Sequence, residues 1–275
     1  MKKIDLIYIL GVSYSGSTLL SYLIGSSKQV CNLGELKQIK EKREKNPNRL
    51  CTCGQEIPNC SFWSKYENVY TPYIEESLLR KIKIALKILL KRDLIANQLS
   101  DTQDHKILHH MQKDQKQEEG MYMLDASKSL WRLAYLMNCK NINLKVIYID
   151  MNIESNVASF AKRNYRGFWE GLLIYKLQHF LVKRFLSYHS NMDYLVVDYA
   201  ELSQNTSSTM NQIGDFLGVS YDNYVEQLKK RTYHVTTGNT GVTTQFRNGF
   251  KMQKNDDKWK SILSPFQKTV LKIVK

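Results

Sequence analysis

Residues 4–24 constrain this chain more than any other stretch. Ile4–Leu10 is a nearly continuous apolar run. It ends at Gly11, and Leu19, Leu20, Leu23 and Ile24 then recur at helical spacing. A short apolar run closed by glycine suits a central parallel strand, and the pattern after it suits a helix beginning near Thr18. Between them, Gly11-Val-Ser-Tyr-Ser-Gly-Ser-Thr18 has the spacing G-x-x-x-x-G-S-T. Glycines let a backbone turn tightly and aim its N–H groups inward, and a helix starting there adds free amides and a favourable dipole for an anion. Ser13, Tyr14, Ser15, Gly16, Ser17 and Thr18 are therefore expected to cradle the phosphate end of a nucleotide. The lysine of the NTPase pattern G-x-x-x-x-G-K-[ST] is missing, because Ser17 stands in its place. That disfavours an ATP or GTP hydrolase and keeps the cradle.

The rest of the chain alternates in the same way. Strand patterns fall at 121–124, 144–149 and 194–197, and helical patterns at about 129–138, 153–163, 167–190, 206–217 and 264–274. This predicts an α/β fold in three layers, a central parallel sheet flanked by helices, within one domain spanning 1–275. Residues 74–118 break the rhythm and read as one or two helices in an insertion or lid at about 64–120. There Leu78, Ile82, Ala85, Leu86 and Leu89 share a face expected to pack on the core, with lysines in water. A basic amphipathic helix near 78–92 also permits peripheral contact with a membrane.

The formal net charge of +14 favours polyanionic partners. No nucleic-acid recognition motif accompanies it, so a nucleic acid is not expected among them. Asp5 interrupts the N-terminal apolar run, and no stretch reaches the length of a membrane span. Five cysteines, an odd number, point to a reducing cytoplasm. Cys51, Cys53 and Cys60 admit three readings: a zinc site, a local disulfide, or free thiols. Zinc sites usually show C-x2–4-C pairs and four ligands. The spacing compels neither Cys31 nor His105 as the fourth, so no metal is assigned. The adjacent His109 and His110 do not face one another on a helix. His234, shortly before Gly238-Asn239, reads first as a loop histidine and second as a residue lining a substrate site.

Here the sequence resembles the sulfotransferases that use 3'-phosphoadenosine-5'-phosphosulfate (PAPS). Their first loop is of the type G-x-x-[RK]-S-G-[ST]-T-L-L, matched by Gly11, Ser15, Gly16, Ser17, Thr18, Leu19 and Leu20. Further matches are Gly34-Glu35, Cys51-Thr-Cys53-Gly54 with Cys60-Ser-Phe62-Trp63, Asp125-Ala-Ser-Lys128, Ser159 with Arg163, and Tyr199-Ala-Glu-Leu202 with Phe216-Leu217-Gly218. Gly238-Asn239, Arg247-Asn248-Gly249, Asp257 and Trp259 complete the series. The match runs from about residue 4 to 260 and thins through 64–120.

The resemblance implies a P-loop NTPase-like sulfotransferase fold and in-line transfer of a sulfuryl group to a hydroxyl of a glycan, lipid or small molecule. Adenosine 3',5'-bisphosphate would be released. It implies Glu35 as general base and Lys128 as donor to the bridging or sulfonate oxygens. The loop would hold the 5'-phosphate, Ser159 and Arg163 the 3'-phosphate, and Arg247, Asn248 and Gly249 would close the site. Two departures stand out. Tyr14 occupies the basic position of the first loop, and Met151-Asn-Ile-Glu154 replaces an Arg-Asp-Pro-Arg type sequence. They motivate a second reading, a catalytically degenerate relative that binds nucleotide or anionic glycan without turnover.

Overall fold

The computed structural model describes residues 3–39, 45–46, 48–69, 78–90, 108, 111, 122–164, 167–247 and 257–275. Five strands form one parallel sheet: β1 (Ile4–Gly11), β2 (Val30–Asn32), β3 (Tyr122–Lys128), β4 (Ile142–Asp150) and β5 (Tyr194–Asp198). Their order is β2-β3-β1-β4-β5. β1 lies at the centre, pairing Leu6 with Met123 on one side and with Leu144 on the other. Its residues alternate between two cores. Leu6, Tyr8 and Leu10 face the layer holding Leu133, Leu136, Val182 and Phe185, while Ile7 and Ile9 face Leu20, Leu23, Met210 and Ile213. Full burial on both faces explains the absence of polar alternation in β1.

The flanking helices are α1 (Ser17–Ile24), α2 (Leu78–Leu89), α3 (Leu130–Met137), α4 (Ile153–Asn164), α5 (Phe168–Tyr188), α6 (Tyr199–Gln204), α7 (Thr206–Leu217), α8 (Tyr224–Lys230), α9 (Thr240–Arg247), α10 (Trp259–Ile262) and α11 (Pro265–Val274). The chain goes to one side of β1 for β2 and β3, then to the other for β4 and β5. The strand order therefore reverses at β1, and such a switch point opens a crevice beyond the strands' C-terminal ends.

α2 corrects one expectation. It packs against α5 and buries Ile88, leaving Ile82, Leu86 and Leu89 exposed. The face expected to meet the core is turned outward, because Ile88 on the other side is the residue seated among the core side chains. His105, His109 and His110 lie outside the described residues. Among those described, no helix is long and apolar enough to cross a membrane.

At the end of β4, Asp150 anchors α5. Its carboxylate lies 2.8 Å from Lys183 Nζ and 3.4 Å from His179 Nε2, and accepts a hydrogen bond from the Tyr148 hydroxyl. Burial alone would raise its pKa; these partners outweigh burial and bring it down to about 2 from 3.8. A carboxylate depressed on folding stabilises the fold above its unfolded pKa and loses that contribution as pH falls toward its folded pKa. With screening at this partly exposed position, Asp150→Asn is expected to cost roughly 1 kcal/mol at neutral pH. The difference should shrink below pH 3.8 and vanish near pH 2. Urea unfolding of both proteins across that range checks it.

Candidate functional site

A cavity of about 570 Å³ opens at the C-terminal ends of the strands. It lies within the roughly 300–1,000 Å³ usual for small-molecule sites. Its lining is drawn from every strand end: Ser13 to Thr18 without Ser15 after β1, Glu35 after β2, Lys128 closing β3, Met151 and Ser159 after β4, and Tyr199 after β5.

The loop after β1 is held by partners far away in sequence. The Ser13 amide donates to Gln178 Oε1 at 2.8 Å, and its carbonyl accepts from Asn156 Nδ2 at 2.7 Å. Gly16 has φ 83°, in the left-handed region, and a Cβ there would fall 2.3 Å from the Tyr199 ring. A glycine is thus required both by conformation and by space. From the other side, the Asn239 amide donates to Thr18 Oγ1 at 3.1 Å. Ser15 does not line the cavity. Its hydroxyl is buried beneath the loop and has no hydrogen-bond partner among the described residues.

Glu35 is buried and caps a short 3-10 turn. Its amide donates to Thr237 Oγ1 at 2.6 Å, and Lys128 Nζ donates to its Oε1 at 2.6 Å. Behind this pair, Asp125 is fully buried and accepts from Arg132 Nε at 2.5 Å, from the Ser127 amide at 3.0 Å and from the Leu36 amide at 3.4 Å. The end of β3 and the Glu35 turn are therefore one hydrogen-bonded unit. Tyr14 and Lys128 have φ of 64° and 61°, the positive-φ residues other than glycine among those described. Each such backbone costs of order 1–3 kcal/mol and persists where surrounding structure enforces it. Both line the cavity. The Tyr14 ring packs edge-on against Phe160, with centroids 5.5 Å apart.

The cavity thus combines a glycine-hinged loop at a helix start, a buried carboxylate paired with a partly exposed ammonium, and a cluster of hydroxyls. The sulfotransferase-domain profile matches residues 5–272. The chain belongs to the sulfotransferase family. No curated protein matches it significantly. Among solved structures, the sulfotransferase domain of the curacin biosynthetic pathway aligns with a TM-score of 0.60 at 16% identity, over 100% of this chain and 98% of that one. The sulfotransferase domain of the Synechococcus PCC 7002 olefin synthase aligns at 0.55 and 19%, over 100% and 95%. At these identities the likeness is one of fold.

In this sulfotransferase, Ser13, Tyr14, Gly16, Ser17, Thr18, Glu35, Lys128 and Ser159 come together around one cavity. Asn248 and Gly249 lie outside the described residues, as do the side chains of Arg163 and Arg247. Met151, at the place of the family's arginine, lines the wall with its apolar side chain. Sequence reasoning missed Asn156, Gln178 and Thr237, which support the site by long-range bonds, and Lys258, which lines it. Lys258 sits between Asp257 and Trp259, at the unspecified middle of a D-x-W pattern.

His234 does not line this cavity. Its Nδ1 lies 3.2 Å from Cys60 Sγ, and its ring stacks on Phe62 with centroids 5.5 Å apart. Burial lowers its pKa below the usual histidine value, assisted by the nearby Arg231 and Lys65 charges. Burial raises the Cys51 and Cys60 thiols. No disulfide joins the five cysteines.

Proposed function

We propose that the chain transfers the sulfuryl group of PAPS to an acceptor hydroxyl and releases adenosine 3',5'-bisphosphate. The observation that carries this is the pair of buried Glu35 and partly exposed Lys128, 2.6 Å apart, on the wall of a cavity entered by the phosphate-type loop. The donor set fits a nucleotide bearing two anionic groups. Amides and hydroxyls of Ser17 and Thr18 at the start of α1 suit the 5'-phosphate, and Ser155, Ser159 and Lys258, which also line the cavity, suit the 3'-phosphate. When bound, PAPS supplies an activated sulfur–oxygen bond.

Glu35 takes the proton of the acceptor hydroxyl as its oxygen bonds to sulfur and the bond from sulfur to the phosphate oxygen breaks. Lys128 moves its donor from Glu35 toward the oxygen on which charge develops. The loop and its supports hold donor and acceptor in line, which by analogy with phosphoryl transfer is the main source of acceleration. Met151 leaves one wall without the usual guanidinium, and Lys258 compensates for that charge.

The segment 64–120, of which residues 64–69, 78–90, 108 and 111 are described, is proposed as an acceptor-side lid. The outward Ile82, Leu86 and Leu89 of α2 support peripheral membrane contact and favour a lipid acceptor over a glycan. A reducing, cytoplasmic setting is part of this reading, supported by five cysteines none of which is in a disulfide.

The test is incubation with labelled PAPS and a panel of glycans, small alcohols and lipids in anionic vesicles, with calorimetry of adenosine 3',5'-bisphosphate binding. Transfer to at least one acceptor is expected. Tight bisphosphate binding without transfer to any acceptor selects the degenerate reading, and absence of both refutes the proposal.

A further inference from the structure

The cysteine loop lies apart from the nucleotide cavity and takes no part in the reaction above. Cys51, Cys53, Cys60 and His234 converge, and their four potential ligand atoms all lie within 4.8 Å of one another. Cys53 Sγ and Cys60 Sγ are 3.7 Å apart, and Cys60 Sγ and His234 Nδ1 are 3.2 Å apart. In a tetrahedral zinc centre with Zn–S bonds of about 2.3 Å, two sulfurs stand about 3.8 Å apart. The observed spacing is that of a tetrahedral edge, well beyond the ~2.0 Å of a disulfide bond.

The backbone builds this arrangement with bonds that need no metal. The Cys51 amide donates to the Gln55 carbonyl, and the Gly54 amide to the Cys51 carbonyl, folding Cys51-Thr-Cys-Gly54 into a knuckle that aims two thiols the same way. Thr52 Oγ1 donates to the Tyr233 carbonyl at 2.6 Å and accepts from the Val235 amide at 2.9 Å. The residues on either side of His234 are thereby stitched to the residue between Cys51 and Cys53. Trp63 Nε1 donates to the His234 carbonyl at 2.6 Å, fixing the segment from the Cys60 side.

We infer that Cys51, Cys53, Cys60 and His234 form a structural zinc site that joins the 51–63 loop to the 233–237 segment. All four ligands are protein groups, which marks a closed, non-catalytic site. Three thiolates with one Zn²⁺ leave a net negative centre, and Arg231 and Lys65 act on His234 with positive charge. The histidine is the ligand that spacing could not supply, since it lies 174 residues from Cys60. The consequence for the cavity is positional. The segment leaving His234 carries Thr237, which accepts from the Glu35 amide, and Asn239, which donates to Thr18. The site therefore braces both the carboxylate turn and the start of α1.

The experiment is metal analysis of the full chain, expressed with zinc in the medium and purified anaerobically without chelator. About one zinc per chain is expected, and Co²⁺ exchange should give thiolate-to-cobalt charge-transfer and visible d–d bands of a tetrahedral centre. Cys53→Ser and His234→Ala should each lower retained zinc. Cys31→Ser, a buried thiol outside the cluster, should leave it unchanged. Wild-type protein without bound zinc and without a cobalt spectrum overturns the inference whatever its activity, as does an intact mass two hydrogens short with Cys53 and Cys60 joined. Equal zinc loss in Cys31→Ser does the same. Metal content is read without any sulfuryl transfer, so it fails or stands separately from the proposed reaction.

Discussion

Glu35→Gln is expected to cut turnover by roughly 10²- to 10⁴-fold while leaving affinity for adenosine 3',5'-bisphosphate nearly unchanged. Glutamine keeps the size of the side chain and an oxygen at the place where Lys128 Nζ now donates at 2.6 Å. It cannot take a proton at neutral pH. The turn itself is held by backbone bonds, from the Glu35 amide to Thr237 and from the Leu36 amide to Asp125, and neither depends on the carboxylate. A loss confined to kcat thus separates proton transfer from positioning. Steady-state kinetics with saturating PAPS, paired with calorimetry, make the measurement. Turnover close to wild type would remove Glu35 from the reaction, and lost nucleotide affinity would make it a structural residue.

The second large effect is on stability. Asp125→Ala is expected to cost about 3–5 kcal/mol, because it leaves the Arg132 guanidinium buried without its carboxylate. Asp125 is fully buried and Arg132 is 7% exposed, so water cannot replace the lost partner. The same change frees the Ser127 and Leu36 amides, so the end of β3 and the Glu35 turn loosen together. The double variant Asp125→Ala with Arg132→Leu removes the stranded charge and should recover much of the loss. Urea unfolding at neutral pH gives both values. A double variant no more stable than the single one would show that the cost lies in the amide bonds and not in the ion pair.

The sheet was largely legible because its strands are buried on both faces and announce themselves as apolar runs. β2 was not: three residues, Val30–Asn32, carry no periodicity. α6, α8 and α9 were missed for a related reason, being six to eight residues long with few buried positions. In the site, the loop, Glu35, Lys128 and Ser159 were readable because each sits in a short local pattern. Thr237 reaches Glu35 across 202 residues and Gln178 reaches Ser13 across 165, so no local pattern could pair them. His234 meets Cys60 across 174 residues, and its nearness to Gly238 in sequence gives no sign of that contact. Proximity along the chain decided the reading where topology decides the structure.

The central position of β1 also sets the order of events during synthesis. Leu6 pairs with Met123 and Ile4 with Ile142, so β1, the first of the five strands to be made, waits for both of its neighbours. At about 5–20 residues per second, the 117 residues that follow Leu6 through Met123 take roughly 6–23 s to emerge. Throughout that interval β1 can pack on α1 through Ile7 and Ile9, but both of its hydrogen-bonding edges stay unpaired. The same residues that make the deepest part of the folded core are the nascent chain's longest-lived hazard.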